Sequence, residues 1–287
     1  MEGIMKRATL IRLLGIAVLS LVWTAAAEAK DWKEVRVATE GAYPPWNATE
    51  PSGELVGFDI DVIKEVCKRV GLKCEIIPQA WKGIIPGLNA GKYDCLIAGM
   101  QITEKRLEVI DFAGPYAMTP GSFATTKGSP IGEYNSPLEL ITLNEIDEEE
   151  QKVLDEIREL LKGKVIGVQT TTTHSNFLDT YFKDVAKIRK YDTQENVLLD
   201  LNTGRIDAAE ASLSYWVPIM KKDLGKNVVL FGPHWTGDIF GLGNGIGVRK
   251  TDPELKALLQ KGIDMIRADG TLQKLAVKWF GFDNSPK

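Results

Sequence analysis

The side chains with the widest chemical use, thiols and imidazoles, are scarce in this sequence. The chain has three cysteines and two histidines, and no histidine–cysteine–carboxylate cluster has metal-site spacing, so we expect no metal. Cys67 and Cys74 flank the segment KRVGLK, where a predicted helix ends and a predicted strand begins. An oxidising compartment would permit a disulfide between them. Cys95, in YDCLIAG, is typical of a small core residue in a buried strand rather than a nucleophile.

The N-terminus indicates which compartment the chain reaches. Lys6, Arg7 and Arg12 precede an apolar run over residues 13–23, and Ala27 and Ala29 follow with A-x-A spacing. This pattern is typical of a secretory signal peptide over residues 1–29, cleaved after Ala29. The alternative, an uncleaved anchor, is disfavoured because the run is short for a membrane span. We therefore predict an exported protein with a Cys67–Cys74 disulfide.

Composition excludes several function classes. The chain has 287 residues, 44% of them hydrophobic, and a formal net charge of -4. That length suits one large domain or two ordinary ones. Nucleic-acid binding would need a basic domain, which is absent. The glycine-rich segment at residues 241–247 lacks G-x-G-x-x-G spacing and precedes a predicted strand, so we interpret it as a crossing between domains. We expect no cofactor.

A phrase occurs twice in the chain. Residues 88–94 read LNAGKYD and residues 201–207 read LNTGRID. Chance recurrence of a helix-end pattern is one explanation, but the surroundings also match. Hydrophobic periodicity and cap residues predict the order β-α-β-α-β around each copy. The predicted strands cover residues 34–40, 73–79, 93–100, 163–170, 186–192 and 205–213, and the predicted helices cover 59–71, 81–91, 173–184 and 193–204.

Such alternation predicts two α/β lobes with parallel sheets and right-handed crossovers. Ligands of open α/β sheets bind beyond the carboxyl ends of the strands, so the two lobes would share a cleft. Residues 131–162 form an acidic insertion that we expect to end in an amphipathic helix. Two further helices are expected near the C-terminus, the first capped by Asp252.

Several stretches, taken together, resemble the amino-acid-binding proteins of bacterial ABC importers. These are GFDIDVIKEVCKRVG, IIPGLNAGKYDCLIAGMQITEKRLEVIDFAGPY, GVRKTDPELK and IRADGTLQKLAVKWFG, which occur in order along the chain. Within that group ATEGAY, QAWKGIIPGL, the acidic insertion and WFGFDNSPK are similar to the nopaline- and octopine-binding proteins. The similarity covers residues 30–287.

The resemblance implies a two-lobed periplasmic-binding-protein fold of type II, α/β throughout, with two crossing strands near residues 116–120 and 238–245. Lobe 1 would comprise residues 30–116 and 246–287, and lobe 2 residues 117–245. The family closes on its ligand by hinge motion. We therefore expect a periplasmic monomer that binds an amino acid or opine and delivers it to an inner-membrane ABC permease.

The resemblance also implies a carboxylate site. Arg106, in QITEKR, matches the family's carboxylate-binding arginine, whose planar fork suits bidentate contacts. Ala98 and Gln101 would lie at the same strand end. Thr172 and Thr173, at a helix start, would offer backbone N–H groups.

Other matched positions would hold the body of the ligand. Tyr43 and Trp81 match the family's stacking pair, and Glu40 would bind the cationic end of an arginine-like side chain. Core packing of Trp81 and a solvated Glu40 are the alternatives. His174 would touch ligand or lie on the surface as a first-turn histidine.

The informative departure from the family is Ser212, where ordinary amino-acid binders carry an aspartate for the ligand ammonium. The opine binders also have serine there, which suits a substituted amine bearing a second carboxylate. Glu210, two residues earlier, would point to the same face of the strand and restore the missing charge. Gln101 is bulkier than the residue expected in opine binders. The choice between an opine and a cationic or polar amino acid stays open.

Two other function classes compete with transport. Some relatives on this fold resemble prephenate or arogenate dehydratases, for which Glu40 or Glu210 would be the acid. A sensor domain is the third class, and the absence of a second apolar span speaks against it. We expect a binding protein without catalytic residues.

Overall fold

The computed structural model describes residues 30–286. The predicted signal peptide, residues 1–29, lies outside the described residues. The chain order of the strands is β1 (Glu34–Thr39), β2 (Ala42–Tyr43), β3 (Asn47–Thr49), β4 (Leu55–Val56), β5 (Lys73–Pro78), β6 (Cys95–Leu96), β7 (Asp111–Ala117), β8 (Gly121–Thr126), β9 (Leu140–Thr142), β10 (Val165–Gln169), β11 (Lys187–Tyr191), β12 (Ala208–Ser212), β13 (Val228–Thr236) and β14 (Asn244–Val248).

The helices among these strands flank the sheets. In chain order they are α1 (Phe58–Val70), α2 (Ile84–Asn89), α3 (Glu104–Leu107), α4 (Glu148–Leu160), α5 (Thr173–Tyr181), α6 (Gln194–Asn202), α7 (Leu213–Ile219), α8 (Pro253–Ala268) and α9 (Thr271–Phe280). No helix within residues 30–286 is both long enough and apolar enough to cross a membrane.

Two sheets define the two lobes. The first has the order β5-β1-β6-β14-β7 and the second the order β11-β10-β12-β8-β13-β9. The predicted parallel pairing is confirmed for β5-β1-β6 and for β11-β10-β12. Antiparallel pairs of β14 in the first sheet and of β8 in the second make both sheets mixed.

The chain passes from the first sheet to the second after Ala117 and returns before Asn244. The lobe boundary predicted between residues 245 and 246 falls inside β14, which pairs with β7 between Asn244 and Val248 and with β6 at Gly247 and Val248. The crossing therefore ends where β14 begins, because that strand is already part of the first sheet.

The predicted order of helices and strands agrees with the structure. In α1, Ile60, Ile63 and Val66 are buried, and Gly71 ends the helix in the left-handed conformation. The disulfide predicted between Cys67 and Cys74 is present and joins α1 to β5. Residues 34–39 and 73–78 pair in register along their full length, as the strand predictions require.

Two local predictions need correction, and a third, for α4, is confirmed. The strand predicted over residues 93–100 is limited to β6, because Gly99 has a φ of 57° with the Trp46 ring packed against it. Asp252 occupies the N-cap of α8 but makes no capping hydrogen bond, since its carboxylate pairs with Arg249 at 2.6 Å. In α4, Val153, Leu154 and Ile157 form the buried face, as predicted for the acidic insertion.

Cys95 is free and fully buried, and burial raises the pKa of its thiol well above the usual range. The prediction of a core residue is therefore confirmed. Within the described residues, no cluster of three or more metal-ligating side chains has the arrangement to hold an ion.

Candidate ligand-binding site between the lobes

A small cavity of about 20 Å³ lies between the two sheets, enough for about one water molecule. Residues of both lobes line it: Glu40, Tyr43, Trp81, Ala98, Gly99, Gln101, Thr119, Gln169, Thr172, His174, Gln194, Ser212 and Asn244. Eight residues predicted from the sequence are in this set, and Arg106, Thr173 and Glu210 are adjacent to it rather than on its wall.

The first lobe contributes residues that follow its parallel strands. Glu40 comes directly after β1, Trp81 begins a short 3-10 helix shortly after β5, and Ala98 and Gln101 follow β6. The carboxyl ends of these three neighbouring strands meet at one edge of the sheet. The fold therefore gathers side chains that are far apart in sequence at the position expected for an α/β ligand site.

The second lobe repeats this arrangement. Gln169 ends β10, Ser212 ends β12, and Gln194 begins α6. Thr172 is the N-cap of α5, where its hydroxyl accepts from Ser175 N at 3.0 Å. The cap fixes the first turn of α5, so His174 in that turn is held against the cavity.

Among residues 30–286, four side-chain hydrogen bonds cross directly from one lobe to the other. Gln169 Nε2 donates to Glu40 Oε1 at 2.6 Å, and Trp81 Nε1 donates to the Thr170 carbonyl at 3.1 Å. The Tyr43 hydroxyl is 2.7 Å from Ser212 Oγ.

The fourth hydrogen bond between the lobes lies next to the Tyr43–Ser212 contact. Trp46 Nε1 donates to Ser214 Oγ at 3.1 Å, and Ser214 Oγ donates to Ser212 Oγ at 3.2 Å. The Tyr43 ring also stacks on Tyr215, with centroids 5.1 Å apart and planes 3° from parallel. A continuous network of aromatic and hydroxyl groups therefore joins the lobes beside the cavity.

Arg106 carries a buried charge beside the cavity. The residue is 9% exposed, and its guanidinium lies 5.5 Å from the centroid of the Trp81 ring. Its Nη1 donates to the Gln101 carbonyl at 2.7 Å. No carboxylate within residues 30–286 lies within ion-pair distance of it. Burial alone lowers the pKa of Arg106 to about 10.

Glu40 is the one acid on the cavity wall as far as residues 30–286 are concerned. Burial raises the pKa of Glu40 to about 7, and the hydrogen bond from Gln169 opposes that rise. Because the pKa of Glu40 lies near neutral pH, a ligand cation beside this carboxyl would shift it to the ionised form.

The two candidate residues on β12, the acid Glu210 and the hydroxyl-bearing Ser212, have different positions. Ser212 lines the cavity, whereas Glu210 is fully buried behind it. Glu210 Oε2 lies 2.6 Å from His174 Nδ1, and burial raises the pKa of the carboxyl. Thr173 is buried at the first residue of α5, and its hydroxyl has no hydrogen-bond partner within the described residues.

Five residues that line the cavity were not predicted from the sequence: Gly99, Thr119, Gln169, Gln194 and Asn244. Thr119 and Asn244 lie in the two predicted crossings, so their position was a usable signal. Asn244 Nδ2 donates to the Gly99 carbonyl at 2.6 Å. Gln169 ends β10 in the second lobe, much as Glu40 follows β1 in the first lobe. The internal repeat was therefore a signal for Gln169.

The chain matches the model of the bacterial extracellular solute-binding proteins, family 3, over residues 35–282. It is 37% identical to the octopine-binding periplasmic protein of Rhizobium meliloti, with 96% of this chain and all of the relative covered. The L-arginine-binding protein of Pseudomonas aeruginosa is 32% identical, with 97% and 98% covered. The histidine-binding periplasmic protein of Escherichia coli is 34% identical, with 93% and 95% covered.

Solved structures agree with these relatives. A periplasmic His/Glu/Gln/Arg/opine family-binding protein from Silicibacter pomeroyi, in complex with lysine, superposes with a TM-score of 0.71 at 32% identity. That comparison covers 88% of this chain and 100% of the other. An ancestral amino acid-binding protein, described as a precursor of cyclohexadienyl dehydratase, gives 0.70 at 28% identity, with 86% and 95% covered. The chain therefore belongs to family 3 of the bacterial extracellular solute-binding proteins.

Proposed function

We propose that this protein binds a cationic amino acid or an opine derived from one between its two lobes, for delivery to an ABC permease. The observation that carries the proposal is the buried guanidinium of Arg106, which has no carboxylate partner among residues 30–286, beside a cavity whose one acid in that range is Glu40. A ligand carboxylate would supply the charge that Arg106 lacks, and a ligand cation would pair with Glu40. Both buried charges would then be compensated.

The similar proteins support this ligand class. Those compared above are described as binding octopine, L-arginine or histidine, and one was solved with lysine. Each of these ligands has a carboxylate next to an amine, together with a basic side chain. Arg106 and Glu40 offer the complementary pair of charges, and Trp81 offers a flat aromatic face to the chain between them.

The size of the cavity indicates how binding would proceed. A space of about 20 Å³ does not admit an amino acid, so the lobes must separate before a ligand enters. On closure the ligand would replace direct contacts between the lobes, including that of Gln169 with Glu40. A ligand that contacts both lobes stabilises the closed form by population shift, and a permease would recognise that form.

Location and assembly follow from the same proposal. A cleaved leader over residues 1–29 would export the protein to the periplasm, where the Cys67–Cys74 disulfide is stable. We expect a monomer that meets its permease in the closed form.

A thermal-shift screen tests the proposal. Octopine, nopaline, arginine, lysine, ornithine, histidine and glutamine would each be added in excess to the purified mature protein. We expect at least one opine or cationic amino acid to raise the unfolding midpoint by mass action, with glutamine weaker. If none of the seven ligands shifts the midpoint, the proposal is wrong.

Catalysis is the second candidate, favoured by the dehydratase precursor among similar structures and by the pKa of Glu40 near 7. A carboxyl with that pKa suits general acid catalysis. We propose binding without turnover, since the unpaired Arg106 and Glu40 are both accounted for by a bound ligand. Product formation from prephenate or arogenate would overturn this assignment.

A further inference from the structure

Glu210 occupies a fully buried position in the second lobe, in a space that the neighbouring strand leaves for its side chain. The residue is 0% exposed and does not line the cavity. Room for its carboxylate comes from Gly121 on the neighbouring strand, where a Cβ would lie 2.5 Å from Glu210 Oε1. A fully buried acid is costly unless it is paired. Because Glu210 does not line the cavity, its influence on a ligand would pass through another residue.

That residue is His174, whose ring is fixed on two sides. Nδ1 is 2.6 Å from Glu210 Oε2, and the ring packs edge-on against Phe240 with centroids 5.4 Å apart. His174 lines the cavity, so Nε2, across the ring from Nδ1, is the nitrogen left for a ligand. Glu210 therefore governs the hydrogen-bonding state of a cavity-facing group.

Two proton arrangements keep the Glu210–His174 pair neutral. In one, an ionised Glu210 faces an imidazolium, and in the other a protonated Glu210 donates to a neutral imidazole. Nε2 carries a hydrogen in both arrangements and donates towards the cavity. Burial raises the pKa of Glu210, and no other cation within residues 30–286 is at ion-pair distance from it. Both facts favour retention of the shared proton over a net negative pair.

Within residues 30–286, no acid lines the part of the cavity wall formed by Ser212 and Tyr43. Ser212 and Tyr43 present hydroxyl groups there, and they contact each other at 2.7 Å. Among residues 30–286, the charged groups near the cavity besides this pair include Glu40, which accepts from Gln169 of the second lobe, Arg106, which contacts Trp81 and Gln101, and Glu195, whose charge helps to raise the pKa of Glu40. A donor at Nε2 beside neutral hydroxyls suits an anionic ligand group better than a primary ammonium.

We propose that Glu210 is a positioning residue that acts through His174, and that the pair selects ligands with a second carboxylate on the amine over the parent amino acid. The inference rests on the proposed function and names the ligand class within it. The alternative, a negative pair that attracts a primary ammonium, predicts the opposite selectivity.

The test compares octopine with free L-arginine, which lacks the second carboxylate. Dissociation constants would be measured by titration calorimetry for the wild type, for Glu210→Ala, which can neither donate to nor accept from Nδ1, for His174→Gln and for the double variant. Glu149→Ala, the same change at an exposed position on α4, is the matched control. We expect the wild type to prefer octopine and each single variant to lose about tenfold of that preference, the value of one hydrogen bond to a charged group.

A double-mutant cycle distinguishes positioning from a general structural effect. If Glu210 acts through His174, the double variant loses no more preference than His174→Gln alone. Additive losses, or a wild type that prefers arginine, would overturn the inference while leaving the proposed function standing. Binding of neither ligand nor any other amino acid would overturn both.

A second measurement uses the wild type alone, so it does not depend on whether the variants fold. Octopine binding to the wild type, repeated in buffers of different ionisation enthalpy above neutral pH, should show greater proton uptake than arginine binding, because the added carboxylate holds the shared proton on the pair. Equal proton uptake for the two ligands would contradict the inference.

Discussion

The two walls of the cleft use different chemistry on the same β-α-β-α-β plan. The first lobe presents ionisable groups, Glu40 on the cavity wall and Arg106 beside it, whose pKa values are displaced by burial. The second lobe presents a helix start at Thr172 and the hydroxyl of Ser212, with its acid hidden behind His174. Under the proposed function, the first lobe would supply charge for affinity and the second lobe would discriminate among ligands.

The largest expected effect is that of Arg106→Met, which tests the division of roles between the two lobes. Removing the guanidinium leaves the ligand carboxylate buried without its partner, so we expect affinity for every ligand to fall by about 100-fold, in line with lost charged hydrogen bonds. Titration calorimetry measures the loss, and Arg205→Met, the same change at an exposed position of the second lobe, is the control. Without ligand, Arg106→Met should unfold at the same temperature or higher, because an unpaired buried charge has gone. A loss below threefold would place the carboxylate elsewhere.

The second test concerns Glu40 and pH. Its pKa of about 7 exceeds the usual value of 4.5, so the folded protein without ligand holds a proton that the unfolded chain releases. The contribution of Glu40 to stability therefore declines as pH rises from 4.5 to 7. A ligand cation needs the ionised form, so affinity for arginine should rise about tenfold from pH 6 to pH 8.

Glu40→Gln provides the matched variant, since it keeps an acceptor for Gln169 but cannot ionise. We expect the pH dependence of arginine affinity to flatten in Glu40→Gln. Asp59, buried in the first lobe with a pKa also raised to about 7, stays in place and continues to lower stability over the same pH range. A pH profile that is unchanged in the variant would show that another group titrates.

The third test introduces charge into the second lobe. Ser212→Asp places a carboxylate on the cavity wall, where it would attract a primary ammonium and repel a second carboxylate. We expect the ratio of octopine to arginine affinity to fall severalfold, as for an added partly buried ion pair. Ser212→Asn, of similar size without charge, separates electrostatics from volume. An unchanged ratio in both variants would mean that the amine lies away from β12.

The smallest expected effect is that of Tyr43→Phe. The change removes the hydroxyl that contacts Ser212 but keeps the ring stacked on Tyr215. One lost hydrogen bond between the lobes costs about 1 kcal/mol, which should change ligand affinity by at most about fivefold. X-ray scattering without ligand should show a more open average conformation. An affinity loss comparable to that of Arg106→Met would contradict the proposed division between the lobes.

The sequence predicted the fold well where local signals and tertiary packing agree. The caps at Thr172 and Thr193 begin α5 and α6, and Gly71 ends α1, because these residues satisfy the helix termini without help from distant segments. The strand over residues 93–100 was overestimated because the turn at Gly99 depends on Trp46, which is far away in sequence.

The site was less predictable for the same physical reason. Glu210 and Ser212 share one strand face in any pairing, but only the second lobe's packing places His174 between Glu210 and the cavity. Gln169 gained its role through a contact with Glu40 of the other lobe. Contacts across a cleft have no periodicity along the chain, so sequence patterns do not indicate them.

The position of β14 affects the order in which the protein can be built. All six strands of the second sheet lie between Gly121 and Thr236, so that sheet can be completed as soon as this segment has emerged during synthesis or translocation. In the first sheet, β14 stands between β6 and β7, and Val248 pairs with Cys95 from more than half the chain length away. Such a distant pairing is slow to form. The lobe that contains β1 is therefore the last to be finished.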